Sequence, residues 1–234
     1  MPQPKTPLPI LAFEDTNFLK REELRGVRLQ LELLKPSLIF SEHGIRETIV
    51  IFGSARVAKS TNYYGEARKL SALITTHFMT KPQSLIVVSG GGGGIMEAVN
   101  RGAADAGGKS AGFNVFLPHE QHPNQYITPE LCFEFEHFSI RKMQFFMHAK
   151  ALVVFPGGFG TLDELFDALT LIQTQKMPRI PVVLFDKSYW DKIINFNALC
   201  EEGMISTDDL ALIEYAQTSD EAWKIISCFM SKNE

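Results

Sequence analysis

Short apolar runs alternate with segments of helical periodicity along most of this chain. We predict strands near 48–52, 84–89, 110–116, 131–135, 151–155 and 180–185. Helices are predicted near 61–78, 95–106, 139–149, 161–176, 188–201 and 219–231. Several of the strands are apolar throughout, as expected when helices cover both faces of a parallel sheet. The alternation therefore predicts a doubly wound α/β fold.

The first 46 residues do not follow this alternation. Prolines at four positions predict an extended arm over residues 1–17; they are Pro2, Pro4, Pro7 and Pro9. Apolar residues then recur at spacings of three and four, which predicts a helix over 18–35 that Pro36 ends. Such a helix packs either on its own domain or against a second copy of the chain. We predict an N-terminal arm and helix over 1–46, followed by the main domain over 47–234.

Composition and charge limit the classes of function. A chain of 234 residues suits a single α/β domain, and its net charge of −4 disfavours a general nucleic-acid binder. Three scattered cysteines are typical of free thiols in a reducing compartment. No apolar run approaches the roughly 18 residues of a membrane span, and the first residues lack the apolar region of a signal peptide. We therefore expect a cytoplasmic protein with no membrane or nucleic-acid partner.

Three predicted strands end in turns of small residues. The turns are Gly53-Ser54-Ala55-Arg56, the run from Gly90 to Gly94, and Pro156-Gly157-Gly158-Phe159-Gly160-Thr161. Ligands of open parallel sheets bind beyond the carboxyl ends of the strands. Glycine lets backbone N–H groups approach an anion, and a following helix directs its positive end to the same place. Three such turns at one sheet edge predict a phosphate or nucleotide site.

Two better-known glycine motifs do not fit. The glycine run continues with Ile95 and Met96, so the dinucleotide fingerprint GxGxxG is incomplete. The segment from Gly102 to Ser110 resembles a phosphate-binding P-loop, but its Lys-Ser pair precedes a strand instead of opening a helix.

His119 and His122 have a His-x-x-His spacing in a proline-rich loop without a clear third ligand, so we predict no metal site.

The third turn carries a family resemblance. The segment from Pro156 to Glu164, PGGFGTLDE, resembles the PGGxGTxxE motif of the Lonely-guy (LOG) family, which is often labelled "lysine decarboxylase-like". Arg141 and Lys142 resemble the arginine-bearing helix of that family. The glycine run and Gly53-Ser54 resemble its other two glycine turns. The resemblance spans about residues 48–200, while residues 1–46 and the loop with the two histidines are similar to a longer subgroup.

The resemblance implies a fold, an activity and an assembly. The fold would be Rossmann-like, with residues 47–234 as the nucleotide-binding catalytic domain. The activity would be hydrolysis of AMP or a cytokinin riboside 5′-monophosphate to free base and ribose 5-phosphate. It also implies a homodimer with no metal or redox cofactor. Glu164 and Arg141 would be catalytic, and the substrate-binding residues would be Ser54, Gly91, Gly92, Gly93, Gly157, Gly158, Gly160 and Thr161.

Glu164 has a second interpretation from the local sequence alone. Thr161-Leu162-Asp163-Glu164 matches a capping box, in which the glutamate bonds back to the first residue of a helix. The chemical interpretation is that cleavage of an N-glycosidic bond needs a carboxylate near a positively charged sugar. Arg141 is likewise either a surface charge or a fork-shaped donor to a phosphate or to sugar hydroxyls. The motifs leave these alternatives open.

Two other functions are compatible with the same fold. A non-catalytic module could bind a nucleotide without cleaving it, although such a module needs no carboxylate beside an anionic ligand. An amino-acid decarboxylase would need pyridoxal phosphate on a lysine, and no lysine of the sequence lies in a suitable motif. We expect hydrolysis, with nucleotide binding alone as the alternative.

Overall fold

A parallel sheet of seven strands organises the protein. The computed structural model describes residues 9–80, 84–116 and 122–232. The strands are β1 (Ile45–Phe52), β2 (Ser84–Ser89), β3 (Ser110–Val115), β4 (Cys132–Phe135), β5 (Ala149–Val154), β6 (Val182–Phe185) and β7 (Ile213–Ala216). Their order in the sheet is β4-β3-β2-β1-β5-β6-β7, and every neighbouring pair is parallel.

Helices connect the strands. They are α1 (Thr16–Leu19), α2 (Arg25–Glu42), α3 (Asn62–Phe78), α4 (Ile95–Asp105), α5 (Phe138–Met147), α6 (Phe159–Gln173), α7 (Lys187–Ile193), α8 (Phe196–Glu201), α9 (Thr207–Leu210) and α10 (Ser219–Lys232). Short 3₁₀ turns cover Glu22–Leu24 and Pro129–Leu131. The Rossmann-like α/β class predicted from the sequence is confirmed.

The core lies on both faces of the sheet, because successive side chains of a strand point to opposite sides. In β1, Val50 and Phe52 contribute to the layer that includes residues of α2, α5 and α6. Ile49 and Ile51 contribute to the layer that includes residues of α3, α4 and α10. All four side chains are buried. The continuous apolar strands of the sequence are thus explained by burial on both faces.

The strand order reverses between β1 and β5. From β1 the chain builds outward through β2, β3 and β4, and from β5 it builds the other way through β6 and β7. Val50 and Ile51 of β1 lie opposite Leu152 and Val153 of β5. The turns that leave β1 and β5 therefore diverge to opposite faces and leave a crevice at the carboxyl edge. Doubly wound proteins bind ligands at this kind of switch point.

Beyond β1, two strands or helices were missed, β7 and the four-residue helix α9, and one predicted helix is divided into two. The four-residue strand β7 was missed, because it is a short edge strand that is only partly buried. The helix predicted over 188–201 is two helices, α7 and α8. Ile194 has extended backbone between them, and the Asn195 side chain caps α8 by accepting from the N–H of Ala198.

The N-terminal helix was predicted wrongly at both ends. It starts at Arg25 instead of residue 18, after the separate helix α1, and it runs through Pro36 to Glu42. A proline inside a helix removes one hydrogen bond and usually ends or kinks it. Here Pro36 and Phe40 are both buried, and Phe40 belongs to the core layer on one face of the sheet, so tertiary packing offsets that loss.

The predicted boundary between residues 46 and 47 falls just inside β1, and it stays a prediction. Part of the extended arm, residues 1–8, lies outside the described residues.

Among the residues that the structure does describe, no helix is both long enough and apolar enough to cross a membrane.

Candidate active site

A cleft of about 720 Å³ lies at the switch point. It is bounded by the turns that follow β1 and β5, by the first residue after β2, and by parts of α5, α6 and α7. Of the predicted site residues, it brings together Ser54, Arg141, Gly157, Gly158, Gly160, Thr161 and Glu164. The cavity is within the usual size of a small-molecule site, on the order of 300–1,000 Å³.

The turn from Pro156 to Gly160 leads directly into α6. The helix begins at Phe159, with Gly158 as its N-cap and no side chain capping it. The N–H groups of residues 158–161 donate no hydrogen bond to any described residue. A Cβ atom added to Gly158 or Gly160 would meet nothing within 4 Å, so both residues face open space. Free amides at a positive helix end are suited to bind an anion.

The capping-box interpretation of Glu164 is wrong. Because α6 starts at Phe159, Thr161 lies within its first turn and Glu164 lies in its second turn. Thr161 instead packs over Gly157, where a Cβ atom would be 2.1 Å from the threonine hydroxyl oxygen. The Glu164 carboxyl group therefore has no role in closing the start of the helix.

Glu164 is buried, with only 5% of its surface exposed. Its Oε2 atom has no hydrogen-bond partner among the residues that the structure describes. Burial raises the pKa of Glu164 to about 7, although the positive charges of Arg141 and Lys142 oppose this shift. A buried oxygen without a partner is rare in folded proteins and points to a missing ligand or a catalytic role.

Arg141 faces the same cleft from α5. Its Nε atom is also buried, and no described residue forms a hydrogen bond with it. Burial lowers the pKa of Arg141, and the negative charge of Glu164 opposes that effect. The guanidinium lies 5.3 Å from the ring centre of Phe145 and 5.8 Å from that of Phe138. Two unpaired polar groups of opposite charge thus share one cleft.

Lys142 and Asp163, the neighbours of these two residues, are paired with each other. The lysine Nζ lies 2.7 Å from the aspartate Oδ1. Neither Arg141 nor Glu164 has an ion-pair partner within 4 Å among the described residues. The ion pair between α5 and α6 is therefore formed by Lys142 and Asp163, which leaves Arg141 and Glu164 available to a ligand.

A carboxylate from α2 holds the start of α5. Glu32 accepts hydrogen bonds from the backbone N–H groups of Glu136 and His137, at 3.1 and 3.3 Å. The His137 ring nitrogen Nδ1 lies 3.2 Å from the same carboxylate. These three side chains could also surround a metal ion. Because Glu32 already accepts two backbone N–H groups, a helix clamp accounts for the cluster, and none of its three residues lines the cleft.

The second glycine turn contributes differently from the prediction. Gly90 lines the cleft, where a Cβ atom would be 3.0 Å from Nη2 of Arg141. Gly91, Gly92 and Gly93 do not line it. The Asn124 side chain donates to the carbonyl oxygens of Gly91 and Gly92, both at 3.0 Å, which turns that part of the loop away. A substrate contact of Gly91–Gly93 stays a prediction.

Ser54 and the second glycine turn are fixed against each other. The Ser54 carbonyl accepts from the N–H of Ile95, and its own N–H donates to the Pro156 carbonyl. Gly94 has φ +58°, and a Cβ atom there would lie 2.4 Å from the Ser54 carbonyl oxygen. The glycine is thus required for this close approach. All three turns form one connected edge around the cleft.

Several residues of the cleft were not predicted as site residues, although Arg56 and Phe159 belong to the predicted turns. Tyr189 of α7 lines it and donates its hydroxyl to the Gly157 carbonyl at 2.7 Å. Arg56 is an exposed cation at its rim, and Phe159 is 92% exposed beside the glycine turn. The signal for Tyr189 was its position: the segment after β6 leaves the same sheet edge as the glycine turns. Of the two loop histidines, His119 lies outside the described residues and His122 is exposed.

The fold and the cleft together define a Rossmann-like α/β protein with its site at the sheet's switch point. The sequence profile of the family described as "Possible lysine decarboxylase" matches residues 96–226, more than half of the chain. The chain therefore belongs to this family, and the predicted resemblance to the LOG family is confirmed.

Among curated proteins, the chain is similar to two LOG proteins of Arabidopsis thaliana. The cytokinin riboside 5′-monophosphate phosphoribohydrolase LOG4 is 29% identical over 143 residues, which cover 59% of this chain and 65% of LOG4. The corresponding enzyme LOG2 is 23% identical over 190 residues, which cover 80% of this chain and 85% of LOG2.

Among solved structures, the molybdenum cofactor carrier protein of Chlamydomonas reinhardtii has the same fold. Its TM-score is 0.54 at 22% sequence identity, and the match covers 79% of this chain and 99% of the carrier.

Proposed function

We propose that this protein hydrolyses the N-glycosidic bond of a nucleoside 5′-monophosphate, releasing the free base and ribose 5-phosphate. AMP and cytokinin riboside 5′-monophosphates are the candidate substrates. One observation carries the proposal: the unpaired polar atoms of Glu164 and Arg141 lie in a cleft closed by a glycine turn with free amides. The names of the LOG relatives support the same reaction.

In this proposal, the free amides of residues 158–161 hold the 5′-phosphate at the positive end of α6. The sugar then lies between the phosphate and Glu164. Water bonds to the anomeric carbon, the carbon–nitrogen bond breaks, and its electrons leave with the base. The departing nitrogen takes up the proton that the water gives up, so that one water molecule supplies the hydroxyl of ribose 5-phosphate and the hydrogen of the free base. The ionised Glu164 offsets the positive charge of the sugar, and a pKa of about 7 also suits it to accept a proton from water. Arg141 donates to the phosphate or to a sugar hydroxyl.

The test is a panel of nucleoside 5′-monophosphates, with chromatography of the released base and ribose 5-phosphate. AMP should be cleaved far faster than adenosine, because adenosine lacks the group that the turn binds. Equal cleavage of AMP and adenosine would overturn the role of the turn. A panel that includes a cytokinin riboside 5′-monophosphate measures which base is preferred.

Glu164→Gln keeps the shape of the side chain and removes its charge and basicity. The cleavage rate should fall by roughly 10²- to 10⁴-fold, the range for a positioned acid–base group. Asp167→Asn is the matched control, since it changes another α6 carboxylate, 3.9 Å from Lys142, that does not line the cleft. Near-normal cleavage by folded Glu164→Gln protein would remove the mechanism.

Arg141→Ala should also be severe, through kcat, KM or both, because it removes a charge-assisted donor. If Glu164 and Arg141 act as one unit, the double variant should be little worse than the worse single variant. Rate losses that multiply would show that the two residues act independently.

The alternative is a nucleotide-binding module without catalysis. The carrier protein with the same fold illustrates that a fold does not determine function. AMP that binds to the pure protein and is recovered intact would favour this alternative. Decarboxylation with pyridoxal phosphate does not fit the cleft, because no lysine is among the described residues that line it.

The proposal includes a homodimer located in the cytoplasm. An exposed apolar stripe on α2 supports the dimer: Val27, Leu31, Leu34 and Leu38 are each 42–58% exposed. The three cysteines are free thiols in the structure, in keeping with a reducing compartment. Neither nucleic acid nor a membrane is part of the proposal, and the partner is the small-molecule nucleotide.

A further inference from the structure

Tyr189 makes a contact with the phosphate-binding turn that the proposed reaction does not yet use. Its hydroxyl donates to the carbonyl oxygen of Gly157 at 2.7 Å, and the side chain lines the cleft. Tyr189 belongs to α7, which follows β6, whereas Gly157 belongs to the turn after β5. The hydrogen bond therefore joins two different connections at the same edge of the sheet.

Through the peptide bond between Gly157 and Gly158, the hydrogen bond to the Gly157 carbonyl also sets the direction of the Gly158 N–H. A trans peptide is planar, so the Gly157 C=O and the Gly158 N–H point in opposite directions. When Tyr189 holds the carbonyl on one side, the amide must face the other side. That amide makes no hydrogen bond to any described residue, and the position of a Cβ on Gly158 is open. Glycine itself has little preference that would fix this plane.

The tyrosine hydroxyl is itself held in place. Trp190, the next residue, is completely buried, and its indole N–H donates to the Phe185 carbonyl at 3.0 Å. Asp186 caps α7 and accepts a hydrogen bond from the Tyr63 hydroxyl at 2.5 Å. These contacts fix α7 at both its start and its middle. The hydroxyl of Tyr189 therefore has a defined position from which to hold the turn.

We propose that Tyr189 is a positioning residue that orients the Gly158 amide toward the phosphate of the substrate. This inference rests on the proposed function, since it assigns a role in binding the same phosphate. It predicts that the hydroxyl acts on phosphate affinity and has little effect on the bond-breaking step. A residue that only stabilised the fold would not weaken phosphate binding while leaving the rate of bond breaking unchanged.

The variant Tyr189→Phe removes the hydroxyl and keeps the ring. The dissociation constants of ribose 5-phosphate and AMP, measured by calorimetry, should rise about tenfold, as for the loss of one hydrogen bond of about 1.4 kcal/mol. In turnover, KM for AMP should rise by a similar factor while kcat changes less than about threefold. The slow cleavage of adenosine, which has no phosphate, should be unchanged.

Tyr64→Phe is the matched control. It also removes a tyrosine hydroxyl, which donates to Glu97 at 2.9 Å and is hydrogen-bonded to Arg101, but Tyr64 lies in α3 and does not line the cleft. The Tyr64→Phe variant should bind ribose 5-phosphate and AMP as tightly as the unmodified protein does. Thermal unfolding should verify that both variants fold. Unchanged ribose 5-phosphate affinity in Tyr189→Phe would overturn the inference, as would an equal loss for adenosine. The calorimetric result stands even if AMP proves not to be cleaved, so the two proposals fail separately.

Discussion

Glu164 lies inside the protein with one carboxyl oxygen unpaired, an arrangement that lowers the stability of the fold. Its pKa is raised to about 7, compared with an ordinary value of 4.5. A carboxyl with a raised folded-state pKa contributes its stability below pH 4.5 and loses it as the pH rises through 7. The unfavourable state is therefore the charged form, which the proposed reaction uses.

Glu164→Gln should stabilise the protein at high pH. The difference in the free energy of unfolding between the variant and the unmodified protein should grow in favour of glutamine from pH 5 to pH 8. A total on the order of 1–3 kcal/mol follows from about 1.4 kcal/mol per pKa unit. Denaturant unfolding across this pH range measures the difference. A difference that stays constant with pH would contradict the raised pKa.

Gly158→Val tests the open face of the turn. Gly158 has φ −96°, which any residue can adopt, and an added Cβ meets no atom within 4 Å. The fold should therefore tolerate valine, while the branched side chain occupies the space in front of the amides. Calorimetry should show at least a tenfold loss of AMP affinity with nearly unchanged thermal unfolding. Gly65→Val, equally unobstructed but away from the cleft, is the control and should bind AMP normally.

At the residue scale, the motifs pointed to two residues that the structure brings together in the cleft, Glu164 and Arg141, but not to their surroundings. Glu164 and Arg141 could be found because they belong to a recognisable motif and its partner helix. Tyr189 has no motif of its own, and its role depends on the distance between two loops that only the folded sheet sets. The burial that raises the pKa of Glu164 is likewise a property of packing and not of local sequence.

Among the elements, α2 shows how tertiary packing overrides a local signal. Pro36 is a strong helix-ending residue, and the sequence pattern therefore predicted an end at residue 35. The helix continues because Pro36 and Phe40 are buried. Near the proline, the side chains of Ser37 and Gln144 donate hydrogen bonds to the carbonyl of Leu33, which ties this turn of α2 to α5. Edge strand β7, with four residues and partial burial, gave too weak a pattern to predict.

Glu32→Ala should destabilise the contact between α2 and α5. The substitution leaves the backbone N–H groups of Glu136 and His137 without their acceptor. Losing such a partly buried acceptor typically costs about 1–3 kcal/mol in the free energy of unfolding. Denaturant unfolding measures it, and Glu22→Ala is the control, since among the described residues Glu22 forms an ion pair with exposed Arg25 and no other. Equal stability of the two variants would show that Glu32 is not a clamp.

For the whole molecule, the exposed apolar stripe of α2 is the feature that the single chain does not explain. Val27, Leu31, Leu34 and Leu38 are spaced by four, three and four residues, the spacing of a helix seam that packs against another helix. Met143 and Met147 of the adjacent helix α5 are also about half exposed. Pairing of two copies through this surface would bury the stripe with twofold symmetry.

The unmodified protein should therefore have twice the monomer mass of 26.3 kDa at micromolar concentration, measured by light scattering. The double variant Leu31→Glu/Leu34→Glu should shift it to the monomer, because four like charges would meet at the seam of a symmetric dimer. Met204→Glu is the matched control: it adds a charge at a residue that is 70% exposed and lies outside α2 and α5, so it should remain dimeric. A monomeric mass for the unmodified protein would contradict the dimer. A dimeric mass for the double variant would place the interface on another face of the molecule.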